Sequence, residues 1–270
     1  QKPYSFFSLR QSALPSIRSS LYMLLAAASG KPYTVIDIHC PPTAQTERIT
    51  AMPTLTADAL SYAIHDHDIL QNVHLSCAGS TVTALRGRSG CGKTTLLNLL
   101  GMLLSPTSGT LTVNGTPAEH WGDRERCRFW HDHAAFVFQD YGIIPNETVL
   151  SNIVLDTRAA KRARRHIPRR LSAILDYLHL QDMYLQPVDT LSGGEKQRVG
   201  VARALWKQAD FVFADEPTAS LDAENKRIVT DLLFDLAQKG ACVIIATHDD
   251  DLSAHCHQVI DVEYFSPHRD

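Results

Sequence analysis

Gly87-Arg-Ser-Gly-Cys-Gly-Lys-Thr94 is the stretch that decides how this chain folds. Its spacing is Gly, four residues, then Gly-Lys-Thr, the pattern of a phosphate-binding loop. Glycines let the backbone curl so that successive N–H groups point at one place. A helix opening at Lys93 adds its positive end, and Lys93 adds a full charge. Thr94 and Thr95 place hydroxyls on the first turn. The flanks agree with this reading: Thr81-Val-Thr-Ala-Leu85 reads as a strand, and Lys93 to Leu104 as a helix with Leu96, Leu97, Leu99, Leu100 and Leu103 on its apolar face. A plain Gly-rich turn is the competing reading, and the strand–loop–helix context speaks against it.

Outward from the loop, short apolar runs alternate with helical segments, the signature of an α/β domain with a buried sheet. Val73 to Cys77 reads as a strand, with a turn at Gly79. Gly109 to Val113 is another, closed by Asn114-Gly115, a hairpin signal. Ala135 to Phe138 follows. Between Ile143 and Leu191 helical segments take over, with Leu171, Ile174, Leu175, Leu178 and Leu180 on the clearest apolar face. The alternation then resumes with a strand at Phe211 to Ala214, a helix at Ala223 to Lys239 and a strand at Ala241 to Ala246.

Two further motifs carry chemistry. Phe211-Val-Phe-Ala-Asp215-Glu216 is an apolar strand ending in two acids. Asp215 is placed to hold a metal through its water shell, and Glu216 to orient or deprotonate an attacking water. In Leu191-Ser-Gly-Gly-Glu195, Ser192 and the Gly193 and Gly194 amides open a helix, which makes a second anion site. One chain already holds its phosphates at Lys93, so the second site suits a nucleotide held by a neighbouring copy.

The segment Leu191 to Leu205 resembles the signature motif of ABC ATPases, and other positions extend the likeness. Gln139 in Phe136-Val-Phe-Gln-Asp140 is similar to the Q-loop, Ser220-Leu-Asp222 to the D-loop, and His248 after Val243-Ile-Ile-Ala-Thr247 to the switch histidine. The resemblance runs from about Pro53 to Val262. It implies a P-loop NTPase fold: a RecA-like core sheet, an antiparallel β-subdomain and a helical signature subdomain. It implies ATP and Mg2+ as ligands. Gly87, Arg88, Ser89, Gly90, Cys91, Gly92, Lys93, Thr94 and Thr95 would hold phosphates, and Thr94, Gln139 and Asp215 would surround the metal. Glu216, His248, Gln139 and Lys93 would be catalytic. Ser192, Gly193, Gly194, Glu195 and Asp222 would meet the nucleotide across a dimer.

At a finer level, Phe138 to Val149 and Asp215 to Asp222 resemble the lipoprotein-release, macrolide-export and bacteriocin-export branch. That branch implies an integral-membrane permease on a separate chain, a second ATPase subunit, and a place at the cytoplasmic face of the membrane. Leu185-Gln-Pro-Val-Asp-Thr190 lacks the acidic and glycine motif of fused exporters. A non-transport ABC ATPase that signals through a membrane partner, as in cell division, is the alternative. The adenine-stacking aromatic of the family falls at Ile64, with Tyr62 two residues earlier, so weak adenine selectivity is expected. Cys91, beside a helix N-terminus, is expected to have a lowered thiol pKa or to be a small space-filler.

Composition narrows the remaining classes. The chain has 270 residues, a formal net charge of −3 and 44% hydrophobic residues. Such balance gives no global reason to bind nucleic acid. Six cysteines lack CxxC spacing and read as reduced thiols. No run approaches the roughly eighteen apolar residues needed to span a bilayer. Leu21 to Ala28, after Lys2, Arg10 and Arg18, has the look of a short secretory signal, which the ATPase motifs contradict. The expected domains are an extension over 1–51, a main domain over 52–265 with a helical part near 143–195, and a tail over 266–270, with Met52 a candidate natural start. Lys161-Arg-Ala-Arg-Arg165 with Arg169-Arg170 reads as a solvated helix face or a contact for headgroups or an acidic loop.

Overall fold

Period-two alternation in the strands sorts side chains into two cores. The computed structural model describes residues 52–65 and 67–267, so the extension 1–51 (with Cys40) and the last three residues of the expected tail lie outside the described residues. Strand β1 (Thr54–Ile64) pairs antiparallel with β2 (His67–Ala78), opposing Leu55 to Cys77, Ala57 to Leu75 and Leu60 to Val73. These six side chains are buried on one face. After β3 (Thr81–Arg86) and helix α1 (Lys93–Leu100), β4 (Ser108–Val113) pairs with the other edge of β1, and β5 (Thr116–Pro117) closes the sheet order β2-β1-β4-β5. Asn114 and Gly115 both have positive φ, 51° and 75°, which gives the expected tight hairpin its right-handed twist.

The second sheet is parallel. Helix α2 (Asp123–Asp132) leads into β6 (Ala134–Val137). Helices α3 (Val149–Val154), α4 (Thr157–Arg165), α5 (Arg169–Tyr177) and α6 (Gly193–Lys207) intervene before β7 (Phe211–Asp215). Then come α7 (Ala223–Gln238), β8 (Cys242–Thr247), α8 (Asp250–His255), β9 (Gln258–Asp261) and a short 3-10 turn, Val262–Phe265. The order is β6-β7-β8-β3-β9. All six residues of the central β8 are buried, as a strand covered on both faces requires. Phe211, Phe213, Cys242, Ile244 and Ala246 face a core shared with the antiparallel sheet and α1. Val212, Ala214, Val243 and Ile245 face a core shared with α3, α5, α6 and α7.

A buried polar bridge fastens α6 to α3. Arg203, 7% exposed, donates from Nε to the Asn152 carbonyl at 2.8 Å and from Nη2 to Asn152 Oδ1 at 3.0 Å. Asn152 also accepts from Ile144 N–H at 2.7 Å and donates to the carbonyls of Ile144 and Thr148. Burial lowers the Arg203 guanidinium to about 10, still charged at neutral pH. One asparagine therefore holds the chain after β6, the start of α3 and the middle of α6 together.

The structure differs from the sequence reading in a few places. The helix expected to reach Leu104 stops at Leu100, where Gly101 is the C-cap and Met102 turns left-handed, φ 60°; Phe136 packs over Gly101 so closely that a Cβ there would stand 2.7 Å from its ring. Neither α2 nor β9 has a counterpart in that reading. Helix α2 carries few apolar residues, but Phe129 packs tilted against Phe211, ring centroids 5.5 Å apart, and Trp130 donates to the Gly101 carbonyl at 2.8 Å. β9 is a four-residue edge strand with no fully buried side chain.

Candidate active site

Lys93 opens α1 directly after Gly92, which has φ 99° and no side chain to cap the helix. The first helical bond runs from Leu96 N–H to the Gly92 carbonyl at 2.8 Å, so the N–H groups of Lys93, Thr94 and Thr95 precede the helical ladder. Gly87 and Gly90 also have positive φ, 151° and 86°, and supply the curl. Lys93, 7% exposed, donates from Nζ to the carbonyls of Gly87 at 2.8 Å and Arg88 at 3.0 Å. A buried ammonium resting on neutral acceptors, beside an uncapped helix end, suits a polyphosphate.

The acids stand across from this loop at the end of β7, which β8 separates from β3 in the parallel sheet. Thr94 Oγ1 donates to Asp215 Oδ1 at 3.0 Å. Burial pushes the Asp215 carboxyl up, the Thr94 hydrogen bond and Lys93 pull it down, and the charges of Glu216 and Asp140 push it further up. The pocket thus holds more negative charge than its own cation offsets, which is the electrostatics of a divalent cation site beside Thr94 and Asp215. Those oxygens fit Mg2+, which prefers one or two carboxylates plus phosphate and water.

Glu216 follows in a left-handed backbone conformation, φ 44°, unusual for a residue with a side chain. Its N–H donates to the Ala246 carbonyl of β8 at 2.9 Å. This bond turns the chain and aims the side chain at His248, whose Nδ1 lies 2.8 Å from Glu216 Oε1. The glutamate is 13% exposed and the imidazole 58%, so the pair has a sheltered end and a solvent-facing end.

Gln139 is exposed in a turn after β6. The carbonyl of the preceding Phe138 accepts from Tyr141 N–H at 3.0 Å and from Gln197 Nε2 of α6 at 3.1 Å. Ser192 is the N-cap of α6 in a reciprocal capping box: its hydroxyl accepts from Glu195 N–H at 3.3 Å, and Glu195 Oε2 accepts from Ser192 N–H at 2.7 Å. The Ser192 N–H holds Glu195 below the usual carboxylate range. That box leaves the Gly193 and Gly194 end of the helix for an anion, although the Ser192 hydroxyl also lies 2.8 Å from Glu195 Oε2 and would have to turn. Asp222 caps α7 by accepting from Asn225 N–H at 2.8 Å.

Among the sequence-derived candidates, Thr94 with Asp215 and Glu216 with His248 form hydrogen-bonded pairs, Lys93 rests on the Gly87 and Arg88 carbonyls beside Thr94, and the charges of Lys93, Glu216 and Asp140 all act on Asp215. Ser192, Gly193, Gly194, Glu195 and Asp222 form another group, on the starts of α6 and α7. Tyr62 pairs with Leu70, whose Cδ2 would stand 3.0 Å from a Cβ on Gly92, so the hairpin edge borders the phosphate loop. Tyr62 packs partly against the core, and Ile64 is 47% exposed.

One expectation is corrected. The Cys91 thiol is raised, not lowered: burial outweighs Lys93, and the charges of Glu263 and Asp261 add to burial. Its Sγ lies 2.6 Å from where a Gly87 Cβ would stand, so it acts as a filler inside the loop. In the basic cluster, Lys161, Arg162, Arg164 and Arg165 are exposed on α4, while Arg170 donates to the carbonyls of Leu205 and Trp206. Sequence reasoning missed Asn225, which donates to Asp222 and accepts from Arg198 Nη1 at 2.7 Å, tying the two helix starts together. A Cβ on Gly194 would stand 2.4 Å from this amide, which is why the position takes glycine. No motif marks Asn225, and its role follows only from the packing of α6 on α7.

Comparison with known proteins gives consistent matches. A family model described as "ABC transporter" matches residues 70–219. The chain is 36% identical over 208 residues to a lipoprotein-releasing system ATP-binding protein, LolD 1, of Caulobacter vibrioides, covering 75% of this chain and 89% of that protein. It is 35% identical over 209 residues to a macrolide export ATP-binding/permease protein, MacB, of Burkholderia pseudomallei, covering 75% of this chain but 32% of that longer protein. A dimeric post-hydrolysis structure of the ATP-binding cassette MJ0796, bound to ADP and Pi, superimposes with a TM-score of 0.67 at 26% identity, covering 77% of this chain and 95% of that one.

Proposed function

The chain belongs to the ABC transporter family as an ATP-hydrolysing subunit, and from that premise we propose that it works as a homodimer driving an integral-membrane permease carried on a separate chain. The observation that carries the reading is the arrangement at the strand ends, where Thr94 meets Asp215, Glu216 meets His248, and Lys93, next to Thr94 at the head of α1, rests on the loop carbonyls. The N–H groups of Gly90 to Thr95 and the Lys93 ammonium bind the β- and γ-phosphates, Lys93 exchanging its two carbonyl acceptors for phosphate oxygens. Thr94, Asp215 and Gln139 would hold Mg2+, which when bound neutralises charge that develops on the transferring phosphoryl group.

Glu216 aligns a water against the γ-phosphorus and accepts its proton as the new P–O bond forms and the bond to the β-phosphate oxygen breaks, releasing ADP and phosphate. His248 donates to the Glu216 carboxylate through Nδ1, and in its imidazolium form it also donates from Nε2 to a γ-phosphate oxygen. Ser192, Gly193 and Gly194 of one copy close over the nucleotide held by the other, and Asp222 lies at the same joint. In that arrangement the helix start and the phosphate loop share the anion, so ATP itself favours closure and hydrolysis relaxes it. The dimeric state of the MJ0796 cassette supports this reading.

The bridge from α6 through Gln197 to Phe138, next to Gln139, offers a path from the closing interface to the Q-loop turn, where a permease would dock. Among the described residues no helix is long and apolar enough to cross a membrane, and we place the subunit at the cytoplasmic face through that permease. The names of the LolD and MacB relatives, which concern lipoprotein release and macrolide export, support an exporting or extracting machine over the signalling alternative. The test is to solubilise membranes of the native host mildly, trap the tagged Glu216→Gln variant with ATP, and identify what co-purifies. A permease with a large extracytoplasmic domain supports the proposal. Recovery of soluble partners alone would overturn the transport assignment.

A further inference from the structure

The peptide group joining Gly87 to Arg88 is gripped at both ends. Its carbonyl, on Gly87, accepts from Lys93 Nζ at 2.8 Å, and its N–H, on Arg88, donates to Glu263 Oε1 at 2.6 Å. Glu263 Oε2 lies 3.2 Å from Arg88 Nε as well. Glu263 stands far from the loop in sequence, in the turn Val262–Phe265, and outside the stretch 70–219 that matches the family model.

The fold delivers it by a short route. Edge strand β9 pairs parallel with β3 in a register that sets Asp261 opposite Arg86, the last residue before the loop. Arg86 Nη2 and Asp261 Oδ2 are 3.6 Å apart, and Asp261 Oδ1 accepts from Glu263 N–H at 3.1 Å, fixing the turn that carries the glutamate. The Glu263 side chain is 34% exposed. The Arg88 N–H holds its carboxyl below the usual range, so it is ionised at neutral pH.

We propose that Glu263 is a positioning residue for ATP, holding the Gly87–Arg88 peptide in the orientation that sets the phosphate loop and the resting place of Lys93. The inference rests on the reading of residues 87–94 as the nucleotide's phosphate loop. Gly87, at φ 151°, has no side chain to restrict this peptide, and a Cβ there would stand 2.6 Å from Cys91 Sγ and 3.2 Å from Glu263 Cγ. The loop's shape therefore depends on partners. Without Glu263 the peptide can rotate, Lys93 loses one carbonyl, and the cost of ordering the loop falls on nucleotide binding.

A purely electrostatic role would act in the opposite direction, because a carboxylate near the phosphates repels them. Variants separate the two. Glu263→Gln keeps an oxygen that can accept from Arg88 N–H but removes the charge. Glu263→Asp keeps the charge but shortens the reach by one methylene, and Glu263→Ala removes both.

The experiment measures MgATP affinity by calorimetry, together with KM and kcat for hydrolysis, on the full chain, with melting temperature recorded for each variant. The expected result is Kd and KM raised about 3- to 10-fold in Glu263→Ala and Glu263→Asp, the loss of one hydrogen bond to the Arg88 N–H. Glu263→Gln should stay within about twofold of wild type, and kcat should be little changed throughout. Wild-type affinity in Glu263→Asp, or tighter binding in both Glu263→Gln and Glu263→Ala, would overturn the proposal. A wild-type chain with no MgATP affinity would instead remove the phosphate-loop reading, and this inference with it.

Discussion

Glu216 Oε1 lies 2.8 Å from His248 Nδ1, so the left-handed end of β7 and the residue just after β8 act as one unit. Neither strand alone could set this contact. It depends on the parallel register that opposes Asp215 to Ala246 and on the Glu216 N–H bond to the Ala246 carbonyl. A strained backbone at Glu216 is tolerated because the neighbouring strand and imidazole together determine where its carboxylate points.

Removing the imidazole should leave the phosphate loop intact while freeing the carboxylate. His248→Ala is expected to lower kcat by about 10- to 100-fold with ATP affinity within about threefold of wild type. Steady-state hydrolysis and equilibrium binding on the same preparation check this. An unchanged kcat would separate His248 from catalysis.

Asp215 links catalysis to stability. Burial raises its carboxyl above the ordinary Asp value. The folded pKa thus exceeds the unfolded one, and the associated stability is present in acid and is lost as pH rises through the folded value. At neutral pH the ligand-free protein carries an ionised Asp215 at a cost. Asp215→Asn is therefore expected to melt higher than wild type at pH 7.5, with the gap shrinking towards pH 4, while losing Mg2+-dependent hydrolysis. Melting curves at both pH values, without nucleotide, test the sign.

The Arg203–Asn152 bridge is expected to be structural. Asn152→Ala leaves a buried guanidinium and the Ile144 N–H and carbonyl short of partners. A loss of about 2–4 kcal/mol in unfolding free energy follows from deleting one side of such a network. Urea titration measures it, and a loss under about 0.5 kcal/mol would show that water replaces the asparagine.

Base recognition should be weak. Ile64 is 47% exposed, and Tyr62 is partly committed to the core. ATP and GTP are expected to bind within about threefold of one another, and Ile64→Tyr should tighten ATP binding by up to about 1–3 kcal/mol through stacking. A strong ATP preference in the wild type would contradict this.

Much of this architecture was legible in the sequence, for reasons particular residues make plain. Phe211 to Ala214 and Ala241 to Ala246 are continuous apolar runs because parallel strands bury both faces, and Gly87 to Thr94 is legible because phosphate binding restricts each position it uses. Helix α2 and strand β9 were not, since one is mostly polar and the other a short edge. The rest of the hidden content is pairwise. Asn225, Asn152 and Glu263 are ordinary residues at ordinary positions, and only the packing of distant segments shows what each holds. Cys91 misled because its helix N-terminus is visible in sequence whereas its burial and the nearby Asp261 and Glu263 are not.

In the proposed mechanism Glu216 serves the hydrolytic step of an ATP-sandwiched dimer. The most direct measurement is single-turnover and steady-state hydrolysis by Glu216→Gln, with its oligomeric state followed by light scattering in ATP. The variant is expected to bind ATP, accumulate as a dimer and hydrolyse at least about 100-fold more slowly. Near-normal turnover, or a variant that stays monomeric with ATP bound, would contradict it.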